Sequence, residues 1–254
     1  MLGAIYGDKA GSIYEYKQTK TIEPVYVEQL ISDNSFYSDD TIETIAIMDA
    51  IINKKDYGKT LKQYILKYEN YNPNFSPYFK TSFSPKTILW AKGKGNSNSI
   101  GNGAMMRISP IGYLFNSEQD VIKQSFLATI PSHNSKEAIE SATTIALMIY
   151  YFRNGLNKEE VYEKLNLQVK YIPFSKFNMT CHDTIGNCLY AIYHSHSFEE
   201  TIMKVLSMGG DTDTNACIVG SVAEAIYGMT AEQKLLAQKD LPQEFTKILK
   251  KVYK

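Results

Sequence analysis

The chain runs to 254 residues, 44% of them hydrophobic, with 27 basic and 27 acidic side chains that cancel to a formal net charge of zero. Such a chain buries a substantial core, which excludes intrinsic disorder, and without a basic run it has no large electrostatic footprint for a nucleic-acid backbone. Three cysteines (Cys181, Cys188 and Cys217) argue against a disulfide framework and fit a reducing compartment.

The opening Met1-Leu2-Gly3-Ala4-Ile5-Tyr6-Gly7-Asp8 has neither a basic n-region nor a sustained apolar run, and no later stretch reaches the length needed to span a bilayer. The expectation is a soluble, cytoplasmic monomer with no membrane partner. Gly7 and Gly11 suit close packing of a first helix, with Asp8 as its cap. Val25-Tyr26-Val27 is the one strand candidate. Helices are expected near 40–53 and 58–70, followed by polar loops from Asn70 to Ser84 and from Gly93 to Ser99. The aromatic residues Tyr64, Tyr68, Tyr71, Phe75, Tyr78 and Phe79 read mostly as packing.

Further helices are expected near 103–115 and 118–130. Behind the capped start Asn134-Ser135-Lys136-Glu137, the residues Ala138, Ala142, Ile145, Ile149 and Phe152 recur at steps of four and three. Helices near 157–166, 182–195 and 198–207 follow, and Cys181 and Cys188, seven apart, share one helix face as small core residues. Ala216, Gly220, Ala223 and Tyr227 form a face small enough for close helix contact. Phe245, Ile248, Leu249 and Val252 stripe a closing helix after Pro242. The whole reads as one compact all-α domain over 1–254, with roughly ten helices.

Two acidic strings carry the chemistry: Ser38-Asp39-Asp40-Thr41 and Gly209-Gly210-Asp211-Thr212-Asp213-Thr214. Each sets two carboxylates and neighbouring hydroxyls at a loop that leads into a helix. Singly, either is an ordinary N-capping sequence. Brought together by folding, four carboxylates repel unless cations sit between them. Oxygen-only donors suit hard divalent ions, Mg2+ or Mn2+, rather than zinc. Three other strings fail as motifs. Gly58-Lys59-Thr60 lacks the glycine of a phosphate loop, since Asn53 stands there; Asp211, Asp213 and Asn215 continue to Ala216 and Val222 where a calcium loop needs Gly and Glu; and Gly93-Lys94-Gly95 lacks a third glycine and a preceding strand.

Two more motifs complete the pattern: Gly7-Asp8-Lys9-Ala10-Gly11-Ser12-Ile13-Tyr14-Glu15 and Gly101-Asn102-Gly103-Ala104-Met105-Met106-Arg107-Ile108-Ser109-Pro110-Ile111-Gly112. With the acidic strings, in this order, the chain resembles the ADP-ribosylglycohydrolase family from Gly3 to about Gly228. The resemblance implies a compact orthogonal all-helical fold with a cleft between helix termini that holds two Mg2+ ions. It implies hydrolysis of the bond between ADP-ribose and an acceptor on a protein, a nucleic acid or a small molecule, in opposition to an ADP-ribosyltransferase; an inactive ADP-ribose-binding relative is the alternative. By position, Ser38, Asp39 and Asp40 match the first ligand group, and Asp211, Asp213 and Thr214 the second. Glu15 matches a glutamate beside the metals and is the first candidate to activate water, Asp40 the second. Gly101, Asn102, Gly103, Ala104 and Met105 match a substrate loop whose helix start offers N–H groups to a diphosphate, and His133 matches a histidine close to ADP-ribose. Arg107 either supports that anion or pairs structurally. One aromatic ring is available to stack on adenine. Asn96-Ser97-Asn98-Ser99 is uncharged where arginine-cleaving relatives carry an acidic residue, leaving no partner for a guanidinium.

Overall fold

A computed structural model describes residues 1–73 and 81–253. In chain order the helices are α1 (Leu2–Gly11), α2 (Tyr16–Thr19), α3 (Asp39–Ile52), α4 (Tyr57–Tyr68), α5 (Pro85–Ala91), α6 (Gly103–Met106), α7 (Ser109–Leu114) and α8 (Glu118–Thr129). They continue as α9 (Lys136–Arg153), α10 (Lys158–Lys164), α11 (Cys181–Tyr193), α12 (Phe198–Ser207), α13 (Thr212–Tyr227), α14 (Ala231–Gln238) and α15 (Gln243–Leu249). The fold is all-α, as expected, but it holds fifteen helices among the described residues rather than ten. The additions are mostly short helices, two of them four residues long, which span too few turns to show a period. The helix expected over 103–115 is split into α6 and α7 because Pro110 stands in the first turn of α7, where its missing N–H and ring end the preceding turn. Val25-Tyr26-Val27 is not a strand. The Val25 amide bonds the Ser207 carbonyl at 3.2 Å, and no partner strand exists among the described residues.

The packing that positions everything else is between α1 and α13. Gly3, Gly7 and Gly11 recur at steps of four and face Gly220, Ala216 and Thr212. A Cβ on Gly7 would stand 2.0 Å from the Ala216 carbonyl oxygen, and one on Gly11 would stand 2.3 Å from that of Thr212. The antiparallel backbones therefore touch, with the expected small residues on both faces. This contact brings the end of α1 to the start of α13, two points 201 residues apart in the chain. α13 also packs on α9, α11 and α12, so it is the central element. Gly7→Ala is expected to cost about 3 kcal/mol or more, because the clash is with backbone that cannot move without separating the helices. Urea unfolding measures it; a loss under 1 kcal/mol would show that the pair tolerates spacing.

The aromatic side chains of α4 and of the loop after it pack as expected: Tyr64 and Tyr68 lie on Phe245 of α15, and Tyr71 stacks on Tyr37 with ring centroids 4.4 Å apart. Phe75, Tyr78 and Phe79 lie outside the described residues. Cys181, Cys188 and Cys217 are buried free thiols. No described helix is long and apolar enough to cross a membrane. Val252 falls beyond α15, so the closing stripe is shorter than its sequence pattern.

Candidate metal centre

Asp8 does not cap α1. It lies inside that helix, fully buried, and its carboxylate reaches the start of α3 instead. Oδ2 accepts the Ser38 and Thr41 amides at 2.8 and 3.1 Å, and Oδ1 accepts the Ser38 hydroxyl at 2.7 Å. The exposed amides at a helix start, and the positive end of its dipole, favour a carboxylate there. Ser38 caps α3 itself, since its side chain accepts the Asp40 amide, and its hydroxyl also lies 3.2 Å from Asp40 Oδ2.

At the start of α13, Gly209 and Gly210 both have positive φ (77° and 76°), and the space beside each is filled. A Cβ on Gly210 would stand 2.2 Å from Asn178 Oδ1. That oxygen accepts the Asp211 amide at 2.7 Å, while the Asn178 amide group donates to Thr184 and Asn215, each at 2.9 Å. Asn102 completes the frame by donating to Asp211 Oδ2 at 2.7 Å. The tight glycine turn thus aims Asp211 and Asp213 into the gap left between α1 and α3.

Five carboxylates gather here, in two overlapping trios. Oxygens of Asp8, Asp40 and Asp213 lie within 4.8 Å of one another, as do oxygens of Glu15, Asp211 and Asp213. Two unit charges 4.8 Å apart repel by about 3.5 kcal/mol at an effective dielectric of about 20. Neither trio contains a basic group. Burial first, then the charge of Asp213, pushes the Asp8 carboxyl up to about 7, against the hydrogen bonds from Ser38 and Thr41. The same two causes push Glu15 up to about 9, with Lys17 pulling the other way. Burial and Asp213 likewise raise Asp40 and Asp211 well above the usual carboxylate range. Asp40 Oδ1 is buried and has no hydrogen-bond partner among the described residues. Oxygens 2.0–2.6 Å from one cation lie about 4–5 Å apart across it, so each trio can hold a hard divalent ion. The donor set, the orphaned oxygen and the excess of carboxylates over the nearby Lys17 all fit such ions.

Several expectations change on contact with the geometry. Asp39 is half-buried and belongs to neither trio; burial raises its carboxyl, with Lys17 opposing. Thr214 approaches the first trio through its hydroxyl, 3.4 Å from Asp40 Oδ2. Ala104 and Met105 are core residues, 0% and 1% exposed. The amides of Gly101, Asn102, Ala104, Met105 and Met106 are all bonded within the protein, so the short α6 offers no row of N–H groups to a diphosphate. Arg107 takes the structural alternative: 1% exposed, it pairs with Glu43 at 2.6 Å. His133 faces Gly101 and Gly103, its Nε2 3.5 Å from where a Cβ on either would stand.

Asp8, expected as a cap, is a member of the first trio, and Asn178 and Asn215, absent from the sequence motifs, form a buried frame behind Asp211. The four-residue glycine period around Asp8 was the available signal, because it fixes which way α1 can face. Asn178 sits in an aperiodic loop and carried none.

The sequence model of the family described as ADP-ribosylglycohydrolase matches residues 1–251. ADP-ribosylhydrolase ARH3 of Mus musculus is 23% identical over an alignment covering 90% of this chain and 83% of the relative. ADP-ribosylarginine hydrolase Tri1 of Pseudomonas putida (strain GB-1) is 21% identical, with 91% and 70% covered. A solved structure described as an ADP-ribosylglycohydrolase-related protein complex superposes with a TM-score of 0.66 at 20% identity, covering 93% of each chain. With a family match spanning nearly every residue and the same fold recovered independently, the chain belongs to the ADP-ribosylglycohydrolase family, hydrolases of glycosyl bonds to ADP-ribose.

Proposed function

We propose that this chain is a magnesium-dependent hydrolase that cleaves the glycosidic bond between ADP-ribose and an acceptor, and so reverses ADP-ribosylation. One ion would be held by Asp8, Asp40 and Asp213, the other by Glu15, Asp211 and Asp213. The observation that carries the reading is the sharing of Asp213 between two trios of buried carboxylates. When bound, the ions would neutralise the carboxylates, orient ribose hydroxyls and stabilise developing negative charge.

The protein's own side chains supply the rest. Departure of the acceptor from the ribosyl carbon passes through an oxocarbenium-like state, which the surrounding carboxylates favour. Glu15 is the better general base of the two candidates. Asp40 is already engaged by the hydroxyls of Ser38 and Thr214. The Glu15 carboxylate, 4% exposed, takes no hydrogen bond among the described residues and stands at the N-cap of α2. It takes the proton of the attacking water. The acceptor remains a protein side chain, a nucleic acid or a small molecule; the name of the Tri1 relative supports arginine, whereas the uncharged run Asn96 to Ser99 offers a guanidinium no partner.

ADP-ribosylated arginine, serine, thymidine and guanosine conjugates, incubated with Mg2+ or EDTA, test the reading. The expected product is free ADP-ribose, in Mg2+ alone, and Glu15→Gln is expected to lower kcat about 10²–10⁴-fold with little change in KM. AMP plus ribose phosphate would mean diphosphate cleavage and a different hydrolase.

A further inference from the structure

A line of hydrogen bonds runs from the core to the rim of the site and uses no carboxylate of either trio. Glu43 accepts from Arg107 Nη1 at 2.6 Å. Arg107 Nη2 donates to the Ser132 hydroxyl at 2.6 Å, and Ser132 Oγ lies 2.8 Å from His133 Nδ1. Glu43, Arg107 and Ser132 are 3%, 1% and 7% exposed, so the line is buried up to the imidazole. The loop bearing it is pinned from both sides. Trp90 Nε1 donates to the Pro131 carbonyl at 2.7 Å, the Ser99 amide to the Ser132 carbonyl at 3.3 Å, and the His133 amide to Thr129 at 2.9 Å.

The direction of each proton follows from the donors. A guanidinium only donates, so Ser132 Oγ accepts from Arg107, and Nδ1 is the acceptor among the described residues that its one hydrogen reaches; the opposite tautomer would leave that buried hydrogen unbonded. Burial and the charge of Arg107 hold the imidazole neutral, far below its ordinary pKa. A neutral ring that accepts at Nδ1 carries its hydrogen on Nε2. Nε2 has no protein partner among the described residues, and a Cβ on either glycine in front of it would stand 3.5 Å away, in van der Waals contact with it.

We infer that Arg107 and Ser132 are positioning residues that hold His133 in one tautomer and one orientation, presenting Nε2–H as a fixed donor to the ligand at the Gly101–Gly103 turn. The ligand's identity rests on the function proposed above; the orientation of the ring does not. The acceptor is a ribose or phosphate oxygen of ADP-ribose. Gly101 and Gly103 serve this donor by keeping side chains out of its way, and the Gly101 amide is already engaged by the Ser99 hydroxyl.

Long-range 1H–15N correlation spectra of the histidine rings test this directly, with His133 assigned by its loss in His133→Gln. Wild-type protein is expected to show an unprotonated, hydrogen-bonded Nδ1 and a protonated Nε2 from pH 5.5 to 8. Ser132→Ala should move Nδ1 toward the position of an unbonded ring nitrogen, and Ser132→Thr should restore it. A proton on Nδ1 in wild type, or an Nδ1 signal unmoved by Ser132→Ala, overturns the inference. In calorimetry with ADP-ribose, Ser132→Ala should weaken binding about tenfold, the worth of one well-placed hydrogen bond, and Ser132→Thr should stay within about twofold. Undiminished affinity in Ser132→Ala overturns the positioning role. If wild-type protein binds no ADP-ribose, the proposed function fails, and the ring spectra alone decide the inference.

Discussion

Asp40→Asn is expected to stabilise the metal-free protein while removing its activity, two effects of opposite sign from one atom. Asp40 is 1% exposed, and its charge is opposed most strongly by burial and then by Asp213 and Asp8. Replacing it with the isosteric amide removes one member of the repelling group. It also supplies two donors where the neighbours, Asp8 and Asp213, are acceptors within 4.8 Å. Removing one like-charge contact of this length is worth about 2–4 kcal/mol, or roughly 4–15 °C in Tm for a chain of this size. The same change takes a charged ligand from the first trio, and the expected loss of kcat is 10³-fold or more. Calorimetric melting in EDTA and turnover of ADP-ribosyl conjugates in Mg2+ read the two halves. A purely structural Asp40 would lower Tm when neutralised and leave turnover alone; that pattern would remove the metal centre from this position. Functional sites commonly carry strain of this kind, holding a local arrangement that weakens the empty fold.

The distinction between Asp39 and Asp40 shows how far sequence reading reaches. Their string is unmistakable, yet adjacent helical residues point about 100° apart, and nothing in Ser38-Asp39-Asp40-Thr41 says which of them turns inward. That choice is made by the angle at which α3 meets α1, set in turn by the glycine contact with α13 and by the Asp8 carboxylate gripping the amides of Ser38 and Thr41. Asp8 was hidden for a related reason. Its partners lie 30 and 33 residues onward, and a lone aspartate in a glycine-rich stretch reads equally well as a cap. By contrast, α8, α9 and α12 were readable almost to the residue, since long apolar periods and Ser caps are local signals: Ser117, Ser135 and Ser197 each accept an amide three residues on. Val25 to Val27 failed because β-branched residues are suited to a strand only where another strand exists to pair with them.

The gain in Tm on adding Mg2+ is expected to grow with pH, from near zero at pH 5 to on the order of 10 °C at pH 8.5. In the metal-free fold Asp8 titrates at about 7 and Glu15 at about 9, against 3.8 and 4.5 for the same groups in an unfolded chain. Between those limits the folded chain binds more protons than the unfolded one, so the stability these two groups contribute is complete below about pH 4 and is lost as pH rises through 7 and then 9. Cations act in the opposite direction. They compete with protons for the same oxygens, so their binding strengthens as the carboxylates ionise. At 100 to 1,000 times Kd such binding stabilises the folded state by about 2.7–4.1 kcal/mol. Other shifted groups do not disturb the comparison. Asp49, Asp183, Glu200 and Glu244 are lowered carboxyls outside both trios, and their contribution cancels between the two conditions. The buried Met1 amino group and His133 favour higher pH, but equally with and without the ion, and cancel in the difference. Differential scanning in EDTA and in millimolar Mg2+, at half-unit pH steps, measures it. A difference that is flat with pH, or absent throughout, would mean that these carboxylates keep their protons and hold no cation; in Asp40→Asn the slope should shrink, because one of the competing oxygens has lost its charge.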